Sequence, residues 1–220
     1  MAYVAKNVKL GLDGRWNLED LSEATREYVQ LYGFAYSLMP DLPSARRDEI
    51  DYIYAKFPWR GGYSTVNFFN QLFHKIPPLL RPQVKAIQYA SPGFIELTVL
   101  LATAAIVSRI VKSVCSAINA AHETYRSIQK GAVEHELSRI NVKNQELDLR
   151  KKQIEFCRNS AKELETILGL SEKEVALLNQ RTQGHAVMKL KILLSVFRRV
   201  EPLAEQQSAG KLDVRGGSGK

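Results

Sequence analysis

At 220 residues, with 45% hydrophobic and 25% charged side chains, the chain has enough apolar surface to build a core and too much to remain disordered throughout. A net charge of +8 suits an anionic partner such as nucleic acid or a membrane surface without requiring one. The two cysteines, Cys115 and Cys157, have no CxxC or metal-ligand spacing, which argues against a disulfide-stapled scaffold and predicts free thiols.

The amino-terminal section reads as a small mixed domain, 1–90. Val8–Leu12 alternates apolar with other residues, and Asp13-Gly14 supplies a turn, so a short strand is expected. Asn17 then stands as a helix N-cap, with Glu19 and Asp20 in the first turn, where the helix dipole favours acids. Apolar residues recur at helical spacing from Leu18 to Met39, where Pro40 ends the pattern. A second helix is expected over 45–57 and a third, capped by Ser64 or Thr65, up to Ile76 and the Pro77-Pro78 stop. Val84–Tyr89 is strand-like and is expected to pair with the first strand in a two-stranded sheet. Trp59-Arg60-Gly61-Gly62 forms a loop in which Arg60 and the amides of Gly61 and Gly62 offer an anion contact, although no nucleotide fingerprint accompanies them.

From Gly93 to Glu201 there is no proline. Ser91-Pro92-Gly93 has the composition of a helix start, and a long helix is expected over 92–130, after which Gly131 allows a break or kink. Its opening, Phe94 to Val107, is almost wholly apolar and carries only Glu96. That run is shorter than the roughly 20 residues a spanning helix needs, so the primary reading is a core helix. The alternative is a membrane-inserting helix built on Phe94, Leu97, Leu100 and Leu101, with Arg109 and Lys112 meeting anionic headgroups beyond it. Glu96 is expected to be buried, bonded to Arg109 or to a backbone donor.

A charged helix follows over 132–168, closed by Gly169. Val133, Ile140, Leu147, Ile154, Ala161 and Leu168 repeat every seventh residue, but the companion row is polar, so a two-stranded coiled coil is a poor fit. Phe156 belongs to a second apolar row on another face. Ser171 with Glu174 makes a capping box for a short helix, 171–180, and a basic amphipathic helix is expected over 185–200. The tail 216–220 has linker composition.

The fold class expected is therefore mainly α (α+β): a head with a two-stranded sheet and three helices, then a helical body over 91–212. HExxH, GxSxG and CxxC motifs are absent, and neither a catalytic residue nor a metal ligand nor a cofactor is assigned. The leading expectation is a non-enzymatic assembly or interaction protein, self-associating or docking a partner protein through Ile140, Leu147, Ile154 and Phe156. A membrane-perturbing effector using 94–107 is the alternative, and nucleic-acid binding ranks third. With Lys6, Lys9 and Asp13 interrupting any apolar leader, a cytoplasmic location is expected, with membrane association as the variant reading.

Overall fold

The computed structural model describes residues 4–56, 62–134 and 151–214, with the backbone alone for 62–64. Strand β1 (Ala5–Leu12) leads into α1 (Leu18–Ser37), α2 (Ser44–Lys56) and α3 (Gly62–His74). A 3-10 turn at Pro78–Leu80 precedes β2 (Gln83–Gln88) and β3 (Gly93–Leu100). Helices α4 (Leu101–Ser116), α5 (Ile118–Glu134), α6 (Lys151–Ile167), α7 (Glu172–Arg181) and α8 (Ala186–Ser208) follow, and β4 (Leu212–Asp213) ends the series. The chain is mainly helical, with a small antiparallel sheet in the order β2-β3-β1-β4.

Local chemistry explains several boundaries. The Asn17 side chain accepts the amide of Asp20 at 2.7 Å and opens α1. Ser171 and Glu174 form the full capping box of α7. Gly169 closes α6 with φ at +62°, a conformation that costs glycine nothing. Both cysteines are free thiols, with Cys157 fully buried.

The main departure from the sequence expectation lies at 91–100. Phe94–Leu100 is a strand, the central partner of both β1 and β2, rather than the start of a long helix. Its period is two: Gly93, Ile95, Leu97 and Val99 are buried, while Phe94, Glu96 and Thr98 are half-exposed on the other face. Ser91 does not cap a helix; its hydroxyl donates to the carboxylate of Asp13. The expected head–body boundary at Ala90 thus falls in the turn between two paired strands. The sheet has four strands because β3 and β4 join it from the section expected to be purely helical.

Two breaks are also placed differently. The helical path turns by 92° at Ala117, between α4 and α5, rather than at Gly131. Near that turn Ser116 Oγ donates to the carbonyl of Ser113, competing with the helix ladder. Helix α5 continues through Gly131, where a Cβ would sit 2.5 Å from the Phe156 ring, so the glycine permits close helix contact instead of a kink. At the carboxyl-terminal end α8 runs past the expected stop at Val200 and through Pro202 to Ser208. Val200, Leu203 and Ala204 are all buried, so continued apolar packing outweighs the ladder bond that proline removes.

One apolar cluster joins the inner sheet residues Val8, Leu10, Ile95 and Leu97 to α1, α4 and α8. Tyr32 of α1 ties the layers: its hydroxyl accepts the amide of Leu100 at 2.8 Å and donates to the carbonyl of Leu80 at 3.0 Å. Arg199 of α8 is buried against α1 and α3. Its guanidinium donates to Gln30 Oε1 and to the Ser195 carbonyl, and lies 3.8 Å over the Phe69 ring. Burial pushes its pKa down to about 10, against the pull of Glu27, so it remains charged at neutral pH.

Candidate interaction surface

Among the described residues, the edge strand β2 is the one strand whose residues are all exposed. Its position is fixed from both ends. At its start, Arg81 donates from Nε to the Ile76 carbonyl and from Nη2 to the His74 carbonyl, both at 2.9 Å, holding the chain as it leaves α3. At its end, Gly93 allows the tight return into β3, because a Cβ there would meet the Gln88 carbonyl oxygen at 2.5 Å.

The register determines which face each side chain occupies. Gln83 pairs with Thr98, Val84 with Leu97, Ala86 with Glu96, Ile87 with Ile95 and Gln88 with Phe94, with a bulge between Val84 and Ala86. Residues paired across antiparallel strands share a face. Val84 and Ile87 therefore lie on the same side as buried Leu97 and Ile95, although three positions apart; the extra residue at the bulge, Lys85, makes this possible. Beneath β3 that face is covered. At β2 it is open: Val84 is 60% and Ile87 59% exposed. Leu79, in the 3-10 turn that precedes the strand, and Tyr89, just after it, are 83% and 69% exposed. The sheet is one strand wider than its cover, leaving an apolar face beside the unpaired hydrogen-bonding groups of an edge.

The sequence Gln83-Val84-Lys85-Ala86-Ile87-Gln88 also matches itself when run antiparallel. About a two-fold axis at its centre, Gln83 meets Gln88, Val84 meets Ile87 and Lys85 meets Ala86. Apolar side chains oppose each other on the open face, and the two lysines are not placed directly opposite.

The site residues expected from sequence are dispersed. Ile140, Leu147, Arg60 and Gly61 lie outside the described residues, and Gly62 is the first residue of α3. Ile154 is half-buried, and Phe156 is half-buried against Gly131 in the chain's own packing. Ala161 and Leu168, further along the same seven-residue row, are buried in the core, so this end of the row serves internal packing. Phe94 faces outward with the Lys9 ammonium 4.0 Å above its ring. Glu96 is half-buried rather than buried, and its carboxylate accepts from Asn7 Nδ2 at 3.0 Å. Arg109 does not reach it. The guanidinium instead engages both carboxylate oxygens of Glu174, whose Oε2 also accepts the Ser171 amide at 2.9 Å. Leu97 and Leu100 are buried, whereas Leu101 and Lys112 are exposed. Two residues of the basic excess are thus tied locally, Arg81 on carbonyls and Arg109 on Glu174, which weakens a continuous anion-binding track.

The β2 edge was only half legible in the sequence. Its strand character was plain, but its exposure depends on β3 taking the place beside β1. Among the described residues, one group has side-chain spacing suited to a metal ion, His122 with Glu201 and Glu205, across α5 and α8. No family model, no curated protein and no solved structure matches this chain.

Proposed function

We propose that this chain is a non-enzymatic assembly protein that self-associates by pairing β2 with β2 of a second copy about a two-fold axis. The observation that carries the reading is the open inner face at Val84 and Ile87, next to an unpaired strand edge whose sequence is self-complementary. Pairing satisfies the edge amides and carbonyls and withdraws both apolar side chains from water, combining main-chain hydrogen bonds with side-chain fit. Because each copy offers this edge once, the contact closes as a dimer and does not propagate. Lys85 at the bulge limits open-ended stacking, a common way for proteins to manage exposed edges.

Light scattering after size exclusion tests this directly. The full chain is expected to run as a dimer at micromolar concentration, and Ile87→Lys as a folded monomer. A dimer unchanged by Ile87→Lys moves the interface to the helices, where the row Ile140, Leu147 and Ile154 becomes the next target. A wild-type monomer ends the self-association reading.

A second reading keeps the membrane-perturbing effector. No single described helix is long and apolar enough to cross a membrane, but α4 and α5 together pass that test as a pair bent by 92°. Seven residues of α4, including Val107, Ile110 and Val111, are buried in the core, so α4 must leave its packed site before lipid can take it. Co-flotation with anionic vesicles supports this reading, and its absence in both monomer and dimer fractions removes it.

A further inference from the structure

On the helical side of the molecule, we propose that His122, Glu201 and Glu205 form a site for a divalent transition-metal ion of the zinc type, clamping α5 to α8. Glu201 and Glu205 stand one helical turn apart on α8, so both carboxylates reach the same side of the helix. His122 approaches from α5 with its Nε2 3.2 Å from Glu201 Oε1 and 3.6 Å from Glu205 Oε1. The three candidate ligand atoms all lie within 4.8 Å of one another. Zinc bonds to nitrogen and oxygen are about 2.0–2.2 Å, which places neighbouring ligands of a tetrahedral site about 3.3 Å apart. The spacings to the imidazole nitrogen bracket that value.

The direction of the imidazole separates a metal site from an ordinary ion pair. Nε2 is buried and makes no hydrogen bond, although a carboxylate oxygen is only 3.2 Å away. A protonated histidine paired with a glutamate aims its N–H at an oxygen, because the charge-assisted hydrogen bond supplies much of the attraction. In a shared coordination sphere the nitrogen instead points at the metal, and the oxygens lie off its axis. The ring is held in place by aromatic packing. Its centroid is 6.2 Å from that of fully buried Phe197 at an interplanar angle of 72°, and Tyr125 stacks on the same phenylalanine at 4.5 Å. The nearby cation Arg198 is engaged by the Tyr125 hydroxyl, which accepts from Nε at 2.7 Å.

One imidazole and two carboxylates are intermediate donors, suited to zinc and its neighbours more than to copper(I) or calcium. The side chain of His122 is 23% exposed and that of Glu205 56%, so the group meets solvent on the Glu205 side, from which water would supply a fourth ligand.

Cobalt(II) is the probe, because four-coordinate cobalt absorbs visibly and far more strongly than the hydrated ion. The metal-free full chain, titrated with cobalt chloride, is expected to bind one equivalent with d–d bands that zinc then displaces. His122→Gln is expected to abolish the bands. Glu205→Gln changes the most exposed ligand and is the safer variant for folding; it is expected to weaken cobalt binding at least tenfold. Zinc is expected to raise the Tm of the wild type and not that of Glu205→Gln. Absence of the bands, or equal bands and an equal Tm rise in folded Glu205→Gln, overturns the proposal. The latter outcome places the metal on other donors.

Discussion

The seam between α1, α3 and α8 and the strand β2 treat polar and apolar groups in opposite ways. Inside the seam the chain buries a charged guanidinium and finds it partners: Arg199 meets Gln30, the Ser195 carbonyl and the Phe69 ring, while Gln30 Nε2 reaches Asn70 at 3.2 Å. At β2 the chain does the reverse, leaving Val84 and Ile87 in water on the face that its neighbours bury. An isolated buried charge costs far more than an exposed valine, so folding resolves the first problem and tolerates the second. If β2 pairs with a second copy as proposed, internal stability belongs to one region and association to the other.

Substitutions in the two regions should therefore separate stability from assembly. The largest effect is expected from Arg199→Ala, which opens a cavity and strands Gln30 without its donor. Leaving that buried acceptor unsatisfied costs about 1–3 kcal/mol, and the cavity adds to it, measured as a lowered urea midpoint. Gly33→Ala comes next. Its added Cβ would lie 2.9 Å from the Phe73 amide nitrogen, where backbone cannot swing aside, and overpacking of this kind costs about 1–3 kcal/mol. Ser171→Ala removes half of the α7 capping box and should cost about 1 kcal/mol, again read from urea unfolding. Ile87→Lys should change the stability of the isolated chain least, within about 0.5 kcal/mol, while abolishing the dimer. If Ile87→Lys destabilises the monomer as much as Gly33→Ala does, β2 belongs to the core and the contrast fails.

Local signals were readable where one physical effect dominated. The Asn17 cap, the Ser171–Glu174 box and the glycine at 169 depend on a few neighbouring atoms, and each stands where the residues indicated. The strand β3 was hidden because its sequence satisfies two patterns. An apolar run behind Ser-Pro-Gly resembles a capped helix, while Gly93, Ile95, Leu97 and Val99 alternate as a strand. The choice between them is made by β1 and β2, which are distant in sequence and supply the hydrogen-bonding edges. The extension of α8 past Val200 was hidden for a related reason, since the ladder bond lost at Pro202 is local and the burial of Leu203 and Ala204 is tertiary. The edge at β2 required both the strand pairing and the bulge. From sequence alone, Val84 and Ile87 fall on opposite faces of a regular strand.

Amide hydrogen exchange across β2, followed as a function of protein concentration, reads the proposed β2–β2 pairing directly. The edge amides of Gln83–Gln88 that face away from β3 have no strand partner among the described residues, so their protection reports the second copy. These amides are expected to slow as the chain becomes dimeric and to stay fast in Ile87→Lys at every concentration. Fast exchange throughout β2 in a sample that scattering shows to be dimeric would contradict that pairing.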